Sequence, residues 1–181
     1  MKKWFKRISV IGASLLAMVA LAACGRSSSS NSPQLVKKGT LTVGLEGTYA
    51  PYSYRENGKL TGFEVDMARA LAKKMGYKVK FVPTKWDSLI AGVGSHKFDM
   101  AINNIAMTPE RQKAYLFSTP YIYSKTSLIM KKDNNDIKNV NDIKGKKIAA
   151  ATGTANADNV KKFGGDNVSS PDFATAMSLI R

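Results

Sequence analysis

The chain of 181 residues has one cysteine and one histidine, and that shortage excludes a good deal of chemistry. A lone thiol closes no disulfide within the chain and makes no zinc site. The sole imidazole, His96, falls in the turn "GSHKF", where a solvated histidine is the ordinary occupant, so no Ser-His-Asp set or metal cluster is in view. Acids are few: 13 Asp and Glu stand against 28 Lys and Arg, a net charge of +15. No apolar run reaches the roughly 20 residues that a comfortable membrane span needs. The Gly-x4-Gly-Lys-Ser/Thr spacing of a P-loop is missing as well. No cofactor is implied.

What is present begins with a leader. Lys2, Lys3, Lys6 and Arg7 form a basic n-region, residues 8–20 an apolar stretch, and "LAAC" closes it. Small residues ahead of Cys24 admit a peptidase, and the group resembles a bacterial lipobox, whose cysteine takes a diacylglyceryl group. Residues 1–23 therefore read as a lipoprotein signal peptide and 24–36 as a lipid-anchored flexible linker, polar and Ser-rich. The excess of lysine beyond the leader is spread in pairs: Lys37-Lys38, Lys73-Lys74, Lys131-Lys132, Lys146-Lys147 and Lys161-Lys162. With no Arg-rich helix and no aromatic-basic motif, this is a solvated basic surface that suits an anionic cell envelope, and nucleic acid is not an expected partner.

Strands alternate with helices after that. "TLTVGL" predicts a strand over 40–45, Asn57-Gly58 a hairpin turn, and "YKVKFVP" a second strand. Between them Phe63, Met67, Ala70, Leu71 and Met75 recur at helical spacing, with Gly76 as a stop, and are expected to be the packed face. "WDSLIAGVG" predicts a short helix, "DMAINNI" a third strand, Thr108-Pro109-Glu110 a helix start, and "TSLIMKK" a fourth strand. A polar link with one helical turn follows. A second, smaller pattern then opens: strand "KIAAAT", turn "GTAN", helix, strand "NVSS", helix. The expectation is an α/β fold in two lobes, residues 37–131 and 132–181. The second lobe has two strands and ends in a helix without a glycine cap, so it reads as incomplete.

Candidate site residues cluster beyond strand ends, where open α/β sheets bind ligands. Arg111 stands in a first helical turn, where a positive charge opposes the helix dipole. It is either a fork for a carboxylate or a surface arginine paired with Glu110. Tyr49 and Trp86 follow the first and second strands, and either sandwich a small amphipathic ligand or pack as rim aromatics. Gly153 to Asn156 opens a helix whose free N–H groups and Thr154 hydroxyl either attract an anion or form an ordinary cap.

Several segments, in order, then resemble one family. "GFEVDMARALAKKM" is similar to the signature of family 3 extracellular solute-binding proteins, the polar amino-acid receptors of ABC importers. "GLEGTYAPYSY", "PTKWDSLIAGV", "DMAINNIAMTPERQKAYLFSTPY" and "DIKGKKIAAATGT" follow the same family. The resemblance implies a two-lobed periplasmic-binding-protein type II fold that clamps its ligand by hinge closure. It implies that Arg111 pairs with an α-carboxylate, met from the other lobe by Thr154 and nearby N–H groups. It also implies that Tyr49 and Trp86 flank the side chain, that main-chain carbonyls near Asn103 and Asn104 receive the ammonium, and that Glu46 reads a distal polar group. "LEGTYAPYSY", "PTKWD" and "INN" look most like the L-cystine-binding branch, although Asn-Gln is the usual counterpart of Asn103-Asn104 there. Ala106 and Ala155 depart from the polar residues usual in the family. The family's second-lobe aspartate lies beyond Arg181, so weak binding or none is expected of this chain.

The partners implied are a small amino acid, an ABC permease with its ATPase, and a membrane held through the lipid, the protein itself being a monomer on the extracytoplasmic face. The competing readings are an enzyme on the same fold, of dehydratase or lytic transglycosylase type, for which Glu46 is the one candidate acid, and a fragment without function. The leader makes its own prediction. Cys24→Ser is expected to move the protein from the membrane pellet to the soluble fraction, and unchanged fractionation would remove the lipid anchor from this account.

Overall fold

The computed structural model describes residues 34–180. The predicted leader at 1–23, Cys24, the stretch 25–33 and Arg181 lie outside the described residues. Among those described, no helix is long and apolar enough to cross a membrane.

The first sheet has three parallel strands. β1 (Thr40–Leu45) lies in the centre, with β4 (Lys78–Pro83) on one side and β5 (Met100–Ala101) on the other. Thr40 pairs with Lys78 and Leu45 with Pro83, while Val43 and Gly44 pair with Met100 and Ala101. Every residue of β1 is buried, including both threonines. A buried hydroxyl needs a partner, and Asp99 supplies it to Thr42. The Asp99 carboxylate accepts from the Thr42 N–H at 2.7 Å, the Thr42 hydroxyl at 2.5 Å and the Val36 N–H at 2.7 Å. The segment that leads into β1 is thereby pinned to the residue before β5.

The hairpin of β2 (Tyr54–Glu56) and β3 (Lys59–Thr61) turns on Asn57 and Gly58, both at positive φ, as the sequence predicts. The helix α1 (Phe63–Lys74) follows, but its packed face differs from the expected one. Val65, Ala68 and Ala72 are buried against Leu41, Val43, Leu45 and Ile102, whereas Phe63, Ala70, Leu71 and Met75 are exposed and Met67 packs only at the margin. Positions 65, 68 and 72 also keep helical spacing, and their small side chains let the helix lie close on the sheet. The larger residues are left on its flanks, and the same rotation carries Glu64 fully inside.

The helix α2 (Trp86–Gly94) ends at glycine as expected. Phe98 is 1% exposed and lies against both Gly44 and Gly92, where a β-carbon would collide with its ring. The third strand is shorter than predicted. It stops at Ala101, and although Ile102 still donates to Gly44 at 2.9 Å, Asn104 turns the chain away at φ 50°. The helix α3 (Pro109–Ala114) has its expected cap: the Thr108 hydroxyl accepts from the Arg111 N–H.

The predicted strand at 126–132 does not form. That segment runs without regular pairing and mostly exposed. A strand exists only where another completes its hydrogen bonds, and among the described residues none lies beside it. Beyond it, a 3-10 turn at Val140–Ile143 carries a capping box between Asn139 and Asp142. Then β6 (Lys147–Ala150), α4 (Ala155–Lys162), β7 (Asp166–Ser169) and α5 (Phe173–Ser178) build a second, two-stranded parallel sheet with its helices. Its core is small: Ala150, Ala157 and Val160, with Ile148 alongside.

Asp99 gives a pH prediction. Its hydrogen bonds hold the carboxyl below its ordinary 3.8, outweighing partial burial. A carboxylate with a depressed native pKa contributes stability that is complete above the unfolded value of about 3.9 and is lost as pH falls through the native value. Asp99→Ala is expected to cost about 2 kcal/mol at pH 7 and less at pH 3. Denaturant unfolding of both proteins at the two pH values measures this.

Candidate functional site

The carboxyl ends of the three parallel strands open on one side. Glu46 leaves β1, Thr84 and Trp86 leave β4, and Asn103 and Asn104 leave β5. The loop between Gly47 and Ser53 is short and tightly held. Tyr49 and Ser53 form a bridge, and the carbonyls of Pro51 and Tyr52 accept from Phe63 and Glu64 at the start of α1. Tyr49 is thereby fixed over the mouth of the sheet.

Asn103 is 4% exposed, and its side chain points into the wall. Its Oδ1 accepts from the Glu46 N–H at 3.1 Å and the Ser53 hydroxyl at 3.5 Å, while its Nδ2 donates to Glu46 Oε2 at 2.6 Å. Asn103 thus braces Glu46. Burial pushes the Glu46 carboxyl up from its ordinary range, Asn103 and the Trp86 main-chain N–H pull it down, and Asp172 and Asp87 raise it again. Burial pushes the Tyr49 hydroxyl up from its ordinary range, and Asn104 acts the other way. Tyr49 itself lies 5.3 Å from the ring of Tyr52 and 6.1 Å, edge on, from that of Phe173 at the start of α5.

Trp86 has a different companion. The Arg111 guanidinium stands over its ring, 5.4 Å from the centroid. Arg111 Nη1 donates to the Ala106 carbonyl and Nη2 to the Gly153 carbonyl, both at 3.0 Å. Its side chain therefore spans from α3 to the turn before α4, and among the described residues it has no salt bridge to Glu110. Partial burial lowers its pKa from the usual guanidinium range, with Asp158 and Glu110 acting the other way. It keeps its charge at any physiological pH. Thr154 caps α4: its hydroxyl donates to the Ala151 carbonyl at 2.6 Å and accepts from the Ala157 N–H at 3.2 Å. His96 sits in a turn at φ 54°, exposed, away from these groups.

Two gatherings result. Glu46, Asn103 and Ser53 join through hydrogen bonds at the ends of β1 and β5, with Tyr49 held to Ser53 by its main chain, and Trp86, Arg111 and the Gly153-Thr154 turn join through the guanidinium. Tyr49 and Trp86 do not stack with each other; the backbone ties Tyr49 to its own loop and Phe173 meets its ring, while the guanidinium takes the indole face.

Sequence reasoning missed Glu64, Ser53 and Phe173. Glu64 is fully buried, and its Oε1 accepts from the Asn104 N–H at 2.6 Å and the Tyr121 hydroxyl at 2.5 Å. The signal for it was available: residue 64 precedes Ala68 by one turn, on the face that Val65, Ala68 and Ala72 define. The brace yields a prediction. Asn103→Ala removes a group that lowers the Glu46 pKa, so a carboxyl-carbon titration by NMR is expected to show Glu46 moving further up. An unchanged midpoint would separate the two residues.

Known proteins similar to this chain are numerous. The model of bacterial extracellular solute-binding proteins, family 3, matches residues 41–176. The L-cystine-binding protein TcyJ of Escherichia coli (strain K12) is 44% identical over 141 residues, 77% of this chain and 52% of TcyJ. The L-cystine-binding protein TcyA of Bacillus subtilis (strain 168) is 38% identical over 180 residues, 92% of this chain and 66% of TcyA. The chain thus spans about half to two thirds of the length of these curated relatives. Among solved structures, an ancestral arginine-binding protein bound to arginine superposes with a TM-score of 0.72 at 38% identity, covering 78% of this chain and 65% of that one. The arginine-bound Gly52Ala mutant of ArgBP from T. maritima gives 0.73 at 32% identity, covering 77% and 67%. The fold is that of the two-lobed, type II periplasmic amino-acid-binding proteins.

Proposed function

The chain belongs to family 3 of the bacterial extracellular solute-binding proteins, and from that premise we propose that it is the receptor of an ABC importer for a polar amino acid, with L-cystine the first candidate. The proposal includes two lobes meeting near residues 131–132, a lipid anchor at Cys24, an extracytoplasmic location and delivery to a permease with its ATPase. It is a binding function without catalysis. Glu46, the one acid the sequence offers for chemistry, has its carboxylate engaged by Asn103.

The observation that carries the reading is Arg111. A charged fork stands over Trp86 with both arms on neutral main-chain carbonyls, one of them from the turn that begins the second sheet's helix. An α-carboxylate arriving there exchanges weak acceptors for a charge-assisted, two-point pair. It also brings its own bonds to the N–H groups around Thr154, which draws the two sides together. Tyr49, Trp86 and Asn104 then border the side chain, and the main chain at Asn103-Asn104 takes the ammonium.

Cystine is favoured by the names of TcyJ and TcyA and by Glu46 with Asp172 and Asp87 nearby, a negative end to the cleft that suits a second ammonium. Arginine, the ligand in the ancestral structure, presents a cation to the same end and is the comparison to make. Titration calorimetry of the chain with both amino acids tests the proposal. Weak binding is expected of this chain, and Arg111→Ala is expected to weaken it about 30-fold or more, the cost of leaving a charge unpaired. Binding that survives this substitution would overturn the assignment of the carboxylate.

A further inference from the structure

Glu64 is a carboxylate where none is expected. It lies in the first turn of α1, fully buried, against the sheet. Burying an acid is costly unless its oxygens are hydrogen-bonded, and only Oε1 is. It takes two short bonds, from the Asn104 N–H at 2.6 Å and the Tyr121 hydroxyl at 2.5 Å, while Oε2 has no partner. An acid retained with one oxygen unsatisfied, where a methionine would fill the space, is held for what its other oxygen does.

That other oxygen, Oε1, holds the main chain of Asn104. Asn104 adopts φ 50°, the left-handed region that side chains other than glycine enter at a cost. The turn there ends β5 just past Ala101, at the carboxyl end of the sheet. A fixed acceptor behind the Asn104 N–H selects that backbone conformation over the extended one that would continue the strand. The second donor, Tyr121, stands on the unpaired segment after α3, so one carboxylate ties the cleft wall to the chain that leads toward the second sheet. Tyr121 also packs on Phe63 at 6.4 Å, on the same helix as Glu64. Consistent with this, burial raises the Glu64 carboxyl while both donors pull it down, and its charge is felt at Tyr49.

We propose that Glu64 is a positioning residue of the ligand cleft: it touches no ligand, but by accepting from the Asn104 N–H and the Tyr121 hydroxyl it sets the left-handed turn that places Asn104 at the end of β5. The consequence for affinity rests on the amino-acid reading given above; the consequence for the Asn104 backbone does not. The substitution Glu64→Gln keeps an acceptor in place, whereas Glu64→Met keeps the volume and removes the acceptor.

The test uses the whole chain with Glu64→Met and Glu64→Gln, read in two ways. Without ligand, hydrogen exchange of the Asn104 amide is expected to speed up at least about tenfold in Glu64→Met and to stay within about threefold of the parent in Glu64→Gln. Affinity for L-cystine or L-arginine is expected to follow the same order, with the thermal midpoint of Glu64→Met close to the parent's. Exchange at Asn104 unchanged in Glu64→Met overturns the proposal. So does an equal loss in Glu64→Gln, which would make the charge rather than the bond decisive. If the parent binds neither amino acid, the affinity comparison drops out, and the exchange measurement alone decides on Glu64. Should Glu64→Met not fold, Tyr121→Phe takes its place: it removes one of the two bonds that orient the carboxylate and is expected to speed exchange about threefold, no change counting against the proposal.

Discussion

A side-chain amide spans the gap between the carboxyl ends of β1 and β5, and the cleft keeps its shape through it. Asn103 accepts from the main chain of Glu46 and the hydroxyl of Ser53, and it donates to the Glu46 carboxylate. With Oδ1 and one amide hydrogen engaged, the buried group is nearly satisfied, and a satisfied polar network at low dielectric is rigid. The loop carrying Tyr49 is attached to the same network through Ser53 and to α1 through Pro51 and Tyr52. Three separate stretches of chain therefore meet in one fixed geometry, on top of a sheet whose central strand has no exposed residue.

The distribution of charge divides the molecule in the same way. Among the described residues the lysines are spread over the outer surface, and of them only Lys146 comes within ion-pair distance of an acid. The groups turned inward are acidic: Glu64 beneath the cleft, Glu46 at its edge, Asp99 under β1. Arg111 is the exception. It is brought inward by α3, meets the face of an indole and finds only neutral carbonyls. A cation so placed is electrostatically unsatisfied, which is the condition for binding an anion tightly. Its odd position in a first helical turn follows from this. The helix serves to deliver it to the end of β5.

Local rules read most of the elements well, because those elements are decided locally. The Asn57-Gly58 hairpin, the Thr108-Pro109 cap and the glycine after α1 need only their own backbone. Two expectations failed for one reason. The segment 126–132 has strand-forming residues, but a strand is completed by a neighbour. The expected apolar stripe of α1 has helical spacing, yet a second set at 65, 68 and 72 has it too, and the sheet admits those smaller residues and leaves Phe63, Leu71 and Met75 outside. Glu64 was hidden by the same choice. A buried acid cannot be told from a surface one until the helix rotation is known.

By itself the sequence determined the alternation of strands and helices, the family, the positions of Arg111, Tyr49 and Trp86 at the ends of strands, and the basic character of the surface. Motif spacing and charge are properties of the chain that no packing alters. Tertiary structure alone decided that Asn103 braces the wall, that Arg111 rather than Tyr49 covers Trp86, that Phe173 comes against Tyr49, and that Glu64 stands under Asn104. Each of these contacts joins residues far apart in the chain. Each depends on how helices and sheets are rotated and stacked, and those rotations are set by the fit of whole faces rather than by any one residue.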